Sequence, residues 1–210
     1  MNTASETQTQ TLPRWFWPLL VALMLIVVAG LGWLWWSVRP PAEGDPAVTF
    51  ARDMSAHHKQ AVEMALIIRD RTEDAELRQL LTDMILTQQG QIGQMQGWLQ
   101  AWGLPAAGLQ PPMTGQMVHN GQLMTMTPEM MGMQPQAKVN ELRTLEPTQA
   151  EIQFLRMMID HHRGGVLMAE AVLAQTQRPE VRRLAESIIT AQTGEIRYMQ
   201  ELLRRRGVTP

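Results

Sequence analysis

Apolar residues recur at helical spacing along most of the chain beyond residue 45. Positions three, four, seven and eleven apart share one face of a helix, so this spacing places an apolar stripe on each segment. The stripes and the polar or Gly-Pro breaks between them predict four helices. The predicted ranges are about Pro46 to Arg69, Glu73 to Trp102, Thr148 to Ala174 and Pro179 to Arg206.

Residues that favour helix ends agree with these ranges. Asp45 before Pro46 is a favourable start, because aspartate caps free backbone N–H groups and proline suits the first helical position. Thr148 and Glu151 match the capping-box pattern at the start of the third helix. Gly207 is placed to end the fourth helix.

The third and fourth helices repeat the first and second. A shift of 104 residues, without a gap, places Phe50 on Phe154 and aligns two His-His pairs. A single helical hairpin leaves its apolar stripe exposed, so the two related hairpins should pack on each other. The fold class that we expect is all-α: a four-helix bundle made of two duplicated helical hairpins, preceded by one N-terminal apolar helix.

That N-terminal helix is predicted by the stretch from Trp15 to Trp36, which carries no charge over 22 residues. This length is enough to cross a bilayer, and the tryptophans at both ends suit the two membrane interfaces. The alternative is a cleaved signal peptide, but the run is long and its bulky exit lacks small residues for cleavage. We expect a single-pass transmembrane anchor in the inner (cytoplasmic) membrane of a bacterium, with the bundle on the periplasmic or extracytoplasmic side.

Residues 104–147 connect the two hairpins and are rich in Pro, Gly, Gln and Met. The segment is mostly polar and lacks helical periodicity, so a hydrophobic core is not expected to account for its methionines. A connection of this length is either functional or disordered filler, and both remain open. The expected organisation is an N-terminal tail (1–14), the transmembrane anchor (15–36), a linker (37–45) and the duplicated bundle (46–207), with hairpins at 46–103 and 148–207.

Composition excludes several functions. A formal net charge of −2 argues against nucleic acid as a partner, because phosphate binding needs a basic face. Without cysteine the chain has no disulfide, no thiolate metal site and no cysteine nucleophile.

Seventeen methionines, against three phenylalanines and one tyrosine, exceed what ordinary packing requires. The excess suggests a use for the thioether.

Both hairpins carry the pattern Met-x-x-His-His-x5-Met on the apolar stripe of their first helix. Adjacent histidines are an unfavourable way to fill a core, and the whole pattern is duplicated, so we interpret it as a metal site. Small residues such as Ala61 and Gly165 leave room for both rings to face inward. The candidate metal ligands are Met54, His57, His58, Met64, Met158, His161, His162 and Met168.

The second helix of each hairpin keeps a glutamine, Gln88 or Gln192, on an otherwise apolar stripe. A buried amide needs a hydrogen-bond partner, and an imidazole N–H is a natural one. Gln91 and its counterpart Glu195 are further candidates for hydrogen bonds to the imidazoles. In the connection, the candidate loop ligands are Met113, Met117, His119, Met130, Met131 and Met133.

The identity of the metal follows from the ligand types. Bundles that hold two iron or manganese ions use Glu-x-x-His, whereas methionine stands three residues before the first histidine of each pair here. Thioether with imidazole suits Cu(I), or its chemical relative Ag(I), far better than Fe, Mn or Mg. We expect an exported protein that sequesters or hands over Cu(I) or Ag(I), and we do not expect an enzyme.

Two other functions remain open. In the first, the histidines and methionines are core residues of a structural or interaction bundle without metal, which is the usual role of a single histidine on an apolar face. In the second, the protein is a ferritin-like metal oxidase, which needs inward carboxylates that this sequence scarcely supplies. The expected partners are a metal ion and the membrane, with a homo-oligomer or a copper-handling protein also compatible with the sequence.

The stretches FARDMSAHHKQAVEMA, TQQGQIGQMQGWLQAWG and FLRMMIDHHRGGVLMA resemble the domain-of-unknown-function 305 (DUF305) family, over about Asp45 to Gly207. The resemblance implies a ferritin-like four-helix bundle. Some members are exported copper-binding proteins, so it also implies copper binding through the duplicated His and Met pattern. In the first half Gln91 stands where the family pattern usually has glutamate, so a carboxylate is available only in the second half, as Glu195.

Overall fold

In the computed structural model, helix α1 (Phe16–Ser37) has apolar side chains exposed on every face. Over Phe16–Leu34 the mean hydropathy is 2.3, and within the described ranges this is the one helix long and apolar enough to cross a membrane. The structure describes residues 13, 15–37, 39–119 and 121–209. Of the predicted tail, residues 1–12 and 14 lie outside these ranges.

The chain divides into two units, Met1–Pro40 and Pro41–Pro210. Long helices make up most of the second unit, which confirms the predicted all-α class. All four helices predicted for it begin and end within two residues of the observed bounds. Its elements are α2 (Pro46–Arg69), α3 (Ala75–Ala101), β1 (Gln116–His119), β2 (Gln122–Thr125), α4 (Gln136–Glu141), α5 (Pro147–Gln175) and α6 (Pro179–Arg205).

Aspartate side chains start both helices of the first hairpin. The carboxylate of Asp45 accepts a hydrogen bond from the backbone N–H of Ala47 at 2.8 Å, as its position before Pro46 predicts. The carboxylate of Asp74 caps α3 in the same way, by accepting hydrogen bonds from the backbone N–H groups of Glu76 and Leu77. At the other end of the second hairpin, Gly207 adopts a left-handed backbone with φ +70°, so the prediction that it ends the last helix is confirmed.

The predicted capping box at the start of α5 is wrong. The helix begins one residue earlier, because Pro147 takes the first helical position, and the capping residue Glu146 makes no side-chain hydrogen bond there. Glu151 instead accepts a hydrogen bond from the Thr72 hydroxyl at 2.6 Å and pairs with Arg206 at 2.8 Å. Its carboxylate therefore joins the start of α5 to the turn after α2 and to the end of α6.

The four long helices form the predicted bundle of two hairpins. α2 packs against α3, α5 packs against α6, and the hairpins meet along α2 and α5. The N-terminal half of α2 shares a core cluster with the C-terminal half of α5, and the reverse holds for the other halves, so the two helices are antiparallel. A buried polar layer of histidine and glutamine side chains lies between these two apolar clusters.

The connection between the hairpins folds against the bundle, contrary to the expectation that a core would not explain its methionines. β1 and β2 form an antiparallel hairpin in which Met117 faces Met124 across the register. Its turn contains Gly121, whose φ of +75° favours glycine. Met113, Met117, Met126 and Met131 are buried in the same cluster as the N-terminal half of α2. The sequence pattern misses this because thioethers pack without periodicity.

Candidate metal centre

The two histidine pairs meet in one layer at the middle of the bundle. His57, His58, His161 and His162 each have no exposed surface, so both members of each pair point inward. His57 and His161 stack with ring centroids 3.6 Å apart and planes inclined by 27°. Within each pair the centroids lie 6.2 and 6.4 Å apart. The repeat therefore brings both pairs into a single cluster.

Three of the four imidazoles use Nε2 for a hydrogen bond directed away from the layer. Nε2 of His57 lies 2.9 Å from the carbonyl oxygen of Met131, and Nε2 of His58 lies 2.7 Å from Oε1 of Gln91. Nε2 of His162 lies 2.6 Å from Oε2 of Glu195. Each partner atom is an acceptor, so Nε2 carries the hydrogen, and Nδ1 of the neutral ring keeps its lone pair.

The nitrogens left over have no partner. Nδ1 of all four histidines and Nε2 of His161 are buried without a hydrogen bond. A buried polar atom without a partner costs about 1–3 kcal/mol, and native structures contain few of them. A buried imidazole nitrogen that keeps its lone pair is chemically able to donate it to a cation.

The buried glutamines Gln88 and Gln192 do not make the hydrogen bonds to imidazole that the sequence predicts. Gln88 and Gln192 are buried, yet neither end of either amide has a hydrogen-bond partner, so the prediction that they bond an imidazole is wrong. His58 bonds Gln91, three residues further along α3. On the opposite side, a Cβ at Gly165 would overlap the amide of Gln192. Glycine at 165 therefore makes the room that this amide occupies.

Burial keeps His57, His58 and His161 neutral. Loss of solvation lowers the pKa of His57 to about 3 and that of His58 to about 4, and the neighbouring imidazoles contribute to both shifts. The same causes lower the pKa of His161 well below its ordinary value. At neutral pH these rings consequently present lone pairs rather than protons, which is the form that a metal ion binds.

The four methionines of the duplicated pattern lie on both sides of the histidine layer. Met54 and Met168 belong to one apolar cluster, and Met64 and Met158 belong to the other. All four are buried, the most exposed being Met168 at 4%. Because α2 and α5 are antiparallel, each side receives one thioether from each hairpin.

Residues 128–134, which we name the strap, cross the groove between α2 and α5 beside the histidines. Gln60 fixes the strap to α2 by donating to the carbonyl oxygen of Gln134 and accepting from its N–H, both at 2.8 Å. On α5, a Cβ at Gly164 would overlap the backbone of Met131. The strap thus contacts the histidine cluster through its backbone, and no side-chain pattern in the sequence predicts this. The Gly164-Gly165 pair is the one sequence signal that another part of the chain packs closely against α5 here.

The loop residues predicted as ligands lie in several environments. Met113, Met117 and Met131 are buried, Met133 is half-buried and Met130 is 42% exposed. The side chain of His119 lies outside the described part of the structure. Met131 reaches the histidines through its carbonyl oxygen. Met126, which lines the same cluster as Met117, was absent from the predicted ligands.

Imidazole and carboxylate groups do not by themselves complete a binding site. Among the described residues, no three His, Asp or Glu side chains are arranged to hold a metal ion. The stacked faces of His57 and His161 explain this, because ring nitrogens of stacked imidazoles point sideways rather than toward a common point. A metal held by this layer needs thioether ligands in addition, or a rotation of the rings.

Comparison with known proteins identifies relatives of the bundle. A family model described as "Domain of unknown function (DUF305)" matches residues 47–203. Among solved structures, a DUF305 protein from Streptomyces coelicolor that is thought to be secreted is 43% identical, with a TM-score of 0.71, covering 80% of this chain and 98% of the other. A DUF305 fragment from Deinococcus radiodurans is 38% identical, with a TM-score of 0.66, covering 79% and 99%.

A more distant relative has been solved with metals. CopM in its Cu(I)-bound form is 27% identical, with a TM-score of 0.59, covering 76% of this chain and 96% of that one. The same protein has been solved in Ag-bound, Cu(II)-bound and apo forms. A comparison with the curated proteins found no match.

Proposed function

This chain belongs to the DUF305 family, and on that premise we propose that its histidine layer, with the flanking methionines, binds Cu(I) or Ag(I) for sequestration or handover. The ligands that we propose are the four histidines and the thioethers of Met54, Met64, Met158 and Met168. The metal is the cargo of this protein rather than a catalytic cofactor.

The observation that best supports the proposal is the orientation of the imidazoles. Metal-binding histidines typically donate their second ring N–H to a carboxylate or carbonyl group, which fixes the ring and raises the basicity of the other nitrogen. His57, His58 and His162 have this arrangement, with three different acceptors outside the layer. Their Nδ1 atoms are buried without a hydrogen-bond partner in the protein.

The donor set favours a soft monovalent ion. Thioethers flank the layer on both sides, and sulfur with imidazole suits Cu(I) and Ag(I). The carboxylate nearest to the layer, Glu195, hydrogen-bonds His162, so it serves to orient a ring. An iron or manganese oxidase needs several inward carboxylates, and the layer contains none of its own. The Cu(I) and Ag forms of CopM support a soft monovalent ion, and its Cu(II) form shows that the same relative also binds the divalent ion.

For the location of the bundle, we propose that α1 anchors the chain in the cytoplasmic membrane and that residues 46–207 act outside the cytoplasm, joined by the linker 37–45. The length and hydropathy of Phe16–Leu34 support an anchor, and the relative from Streptomyces coelicolor supports export. Membrane fractionation with N-terminal sequencing tests this proposal. A soluble mature chain that begins after α1 would show a cleaved signal instead.

The binding site is tested by competition for Cu(I) between the full chain in detergent and a chromophoric chelator. In the test variant His57, His58, His161 and His162 are all replaced by glutamine, which retains polarity and approximate volume but is a poor ligand for Cu(I). We expect the tight binding to be lost while the circular dichroism spectrum remains helical.

A matched control replaces two buried methionines that are not among the proposed ligands, as Met84→Leu with Met199→Leu. This control should retain the affinity of the unmodified chain. If the histidine variant binds Cu(I) as tightly as the control, the histidine layer is not the site. If no chain binds, the bundle has a structural or interaction role.

A further inference from the structure

A second group of thioethers surrounds a cavity at one side of the bundle. The cavity has a volume of about 100 Å³ and lies between the N-terminal half of α2, the C-terminal half of α5 and the β1–β2 hairpin. Its walls include Met117 from β1, Met126 after β2 and Met168 from α5. These side chains are 3%, 5% and 4% exposed, so their sulfur atoms are removed from bulk water.

The rim of the cavity is polar and accessible. Gln116 and Gln175 line it and are exposed, while Thr49 is half-buried. Asp53 lies in the wall, 7% exposed, and its carboxylate accepts a hydrogen bond from the backbone N–H of Met113 at 3.0 Å. A cation that enters between the glutamines therefore meets one carboxylate and three thioethers.

The three methionines come from two parts of the chain: Met117 and Met126 belong to the β1–β2 segment, and Met168 belongs to α5. The β hairpin supplies two of them, although its strands are only four residues long and contribute few other buried side chains. Thioether sulfur is a neutral, soft donor that discriminates for Cu(I) and Ag(I) against Ca²⁺, Mg²⁺ and other hard ions. Three thioethers around one small cavity therefore form a ligand set that favours Cu(I) and Ag(I) over hard ions.

Met168 links this cavity to the histidine layer. It lies seven residues after His161 on α5, which is two helical turns or about 10 Å along the axis, on the same helix face. It is also one of the methionines that flank the layer. An ion held by Met117, Met126 and Met168 is therefore close to the histidines, with one thioether shared between the two positions.

We propose that Met117, Met126 and Met168 form a separate entry site, which captures Cu(I) or Ag(I) from solvent or from a donor and passes the ion to the histidine layer. This inference rests on the proposed function of that layer. Passage occurs by ligand exchange: bonds from the ion to Met117 and Met126 are replaced by bonds to imidazole nitrogens while Met168 remains attached. The oxidation state of the ion does not change, and no proton is released from a thioether.

The entry site is tested directly with Ag(I) and the full chain in detergent, carrying 13C-labelled methionine methyl groups. Once the histidine layer is saturated, further Ag(I) should shift the methyl resonances of Met117 and Met126, which belong to the cavity alone. The resonances of Met84 and Met199, in the opposite core cluster, serve as internal controls. If Met117 and Met126 do not shift even when Ag(I) exceeds the amount that saturates the histidine layer, while methionines beside the histidines do shift, the entry site is wrong.

Its role in loading is tested by Met117→Leu with Met126→Leu, a volume-conserving change that leaves every histidine and Met168 intact. In stopped-flow transfer from a chromophoric Cu(I) chelator, loading should slow by about tenfold, equivalent to about 1.4 kcal/mol on the barrier. The equilibrium affinity of the histidine layer should remain the same. The Met84→Leu, Met199→Leu control should load at the rate of the unmodified chain.

The outcomes separate the two proposals. Loading of the cavity variant at the unmodified rate overturns the entry site and leaves the histidine proposal intact. In the four-histidine variant the methyl shifts of Met117 and Met126 should persist, because the cavity captures the ion first. Persistent shifts together with unchanged tight affinity in that variant would reject the histidine layer while retaining the cavity as a binding site.

Discussion

His57 and His161 stack face to face with their ring centroids 3.6 Å apart, and they occupy equivalent positions of the internal repeat. The contact joins the two hairpins at the middle of the bundle, between two apolar core clusters. Two rings at this separation are compatible with neutral imidazoles, since like charges in a dry interior repel strongly. The behaviour of the protein should follow from these buried imidazoles, whose Nδ1 atoms have no hydrogen-bond partner.

Stability of the metal-free chain should fall on acidification. Burial lowers the pKa of His57 to about 3 and of His58 to about 4, and lowers the pKa of His161 well below its ordinary value of 6.5. Below pH 6.5 the unfolded chain therefore takes up protons that the folded chain excludes. The stabilising contribution is complete above that pH and is lost as the pH falls toward the folded-state pKa values, at about 1.4 kcal/mol per histidine per pH unit.

Denaturant unfolding of the metal-free full chain in detergent at pH 7.0 and pH 5.0 measures this effect. The free energy of unfolding should be lower at pH 5.0, and the difference should shrink in a His57→Gln, His161→Gln variant. Equal stability at both pH values would mean that the histidines are hydrated or already protonated in the folded chain.

Glu195 should strengthen metal binding without touching the metal. Its carboxylate accepts the Nε2–H of His162 at 2.6 Å, and this increases the electron density available at Nδ1. Glu195→Gln keeps an acceptor oxygen but removes the charge, so the Cu(I) affinity should fall by about tenfold in chelator competition. Glu201→Gln, on the exposed side of α6, is the control and should have no effect. An unchanged affinity in Glu195→Gln would show that His162 does not bind the metal.

The contact between the strap and α5 should depend on the absence of a side chain at Gly164. A Cβ there would overlap the backbone of Met131, which cannot yield as a flexible side chain would. Gly164→Ala should destabilise the fold by about 2 kcal/mol, as overpacking typically does. Gly194→Ala on α6 has open space around its Cβ and should stabilise the fold by about 1 kcal/mol.

Thermal unfolding of both glycine variants measures these opposite effects. The strap also seals the histidine layer, so Gly164→Ala should in addition accelerate the release of Cu(I) to a chelator. If Gly164→Ala raises the melting temperature as Gly194→Ala does, the strap does not pack on α5 as described.

Arg206 should contribute more to stability than its neighbour Arg205. Arg206 is 13% exposed at its side chain and pairs with Glu151 at 2.8 Å and Asp74 at 2.6 Å. Arg205 is 52% exposed and pairs with Glu76. Arg206→Met leaves a buried carboxylate without its cation, so it should cost about 3 kcal/mol, whereas Arg205→Met should cost less than about 1 kcal/mol. Unfolding with denaturant measures the free energy of unfolding of both variants. Equal losses of stability would show that the buried pairing of Arg206 contributes no more than the exposed pairing of Arg205.

The helices and the burial of both histidine pairs could be predicted because they depend on local periodicity. The stripe through Met54, His57 and Met64 places these side chains on one face, and a repeat of the whole stripe predicts that two such faces meet. Packing then buries the stripe regardless of the details of the connection. Spacing alone therefore predicts that four of the five histidines are buried where the two faces meet.

Hydrogen-bond partners and the connection could not be predicted in the same way. Whether His58 reaches Gln88 or Gln91 depends on ring rotamers and on the rotation of α3, and both choices fit the sequence pattern. The packing of Met113 and Met117 depends on contacts with distant helices, which leave no periodic pattern in a short hairpin. The carbonyl of Met131 is a backbone group, so its bond to His57 has no sequence pattern at all.

In the proposed site, the Nδ1 atoms of the histidine layer bind a soft monovalent ion. The most direct measurement is 15N NMR of the histidine side chains in the full chain, with Ag(I) added in steps and signals assigned by single variants. We expect the Nδ1 resonances of His58 and His162 to shift on binding, while Nε2 of each ring stays protonated. Titration that leaves every Nδ1 signal of the layer unchanged, with Ag(I) bound elsewhere in the chain, would contradict the proposed site.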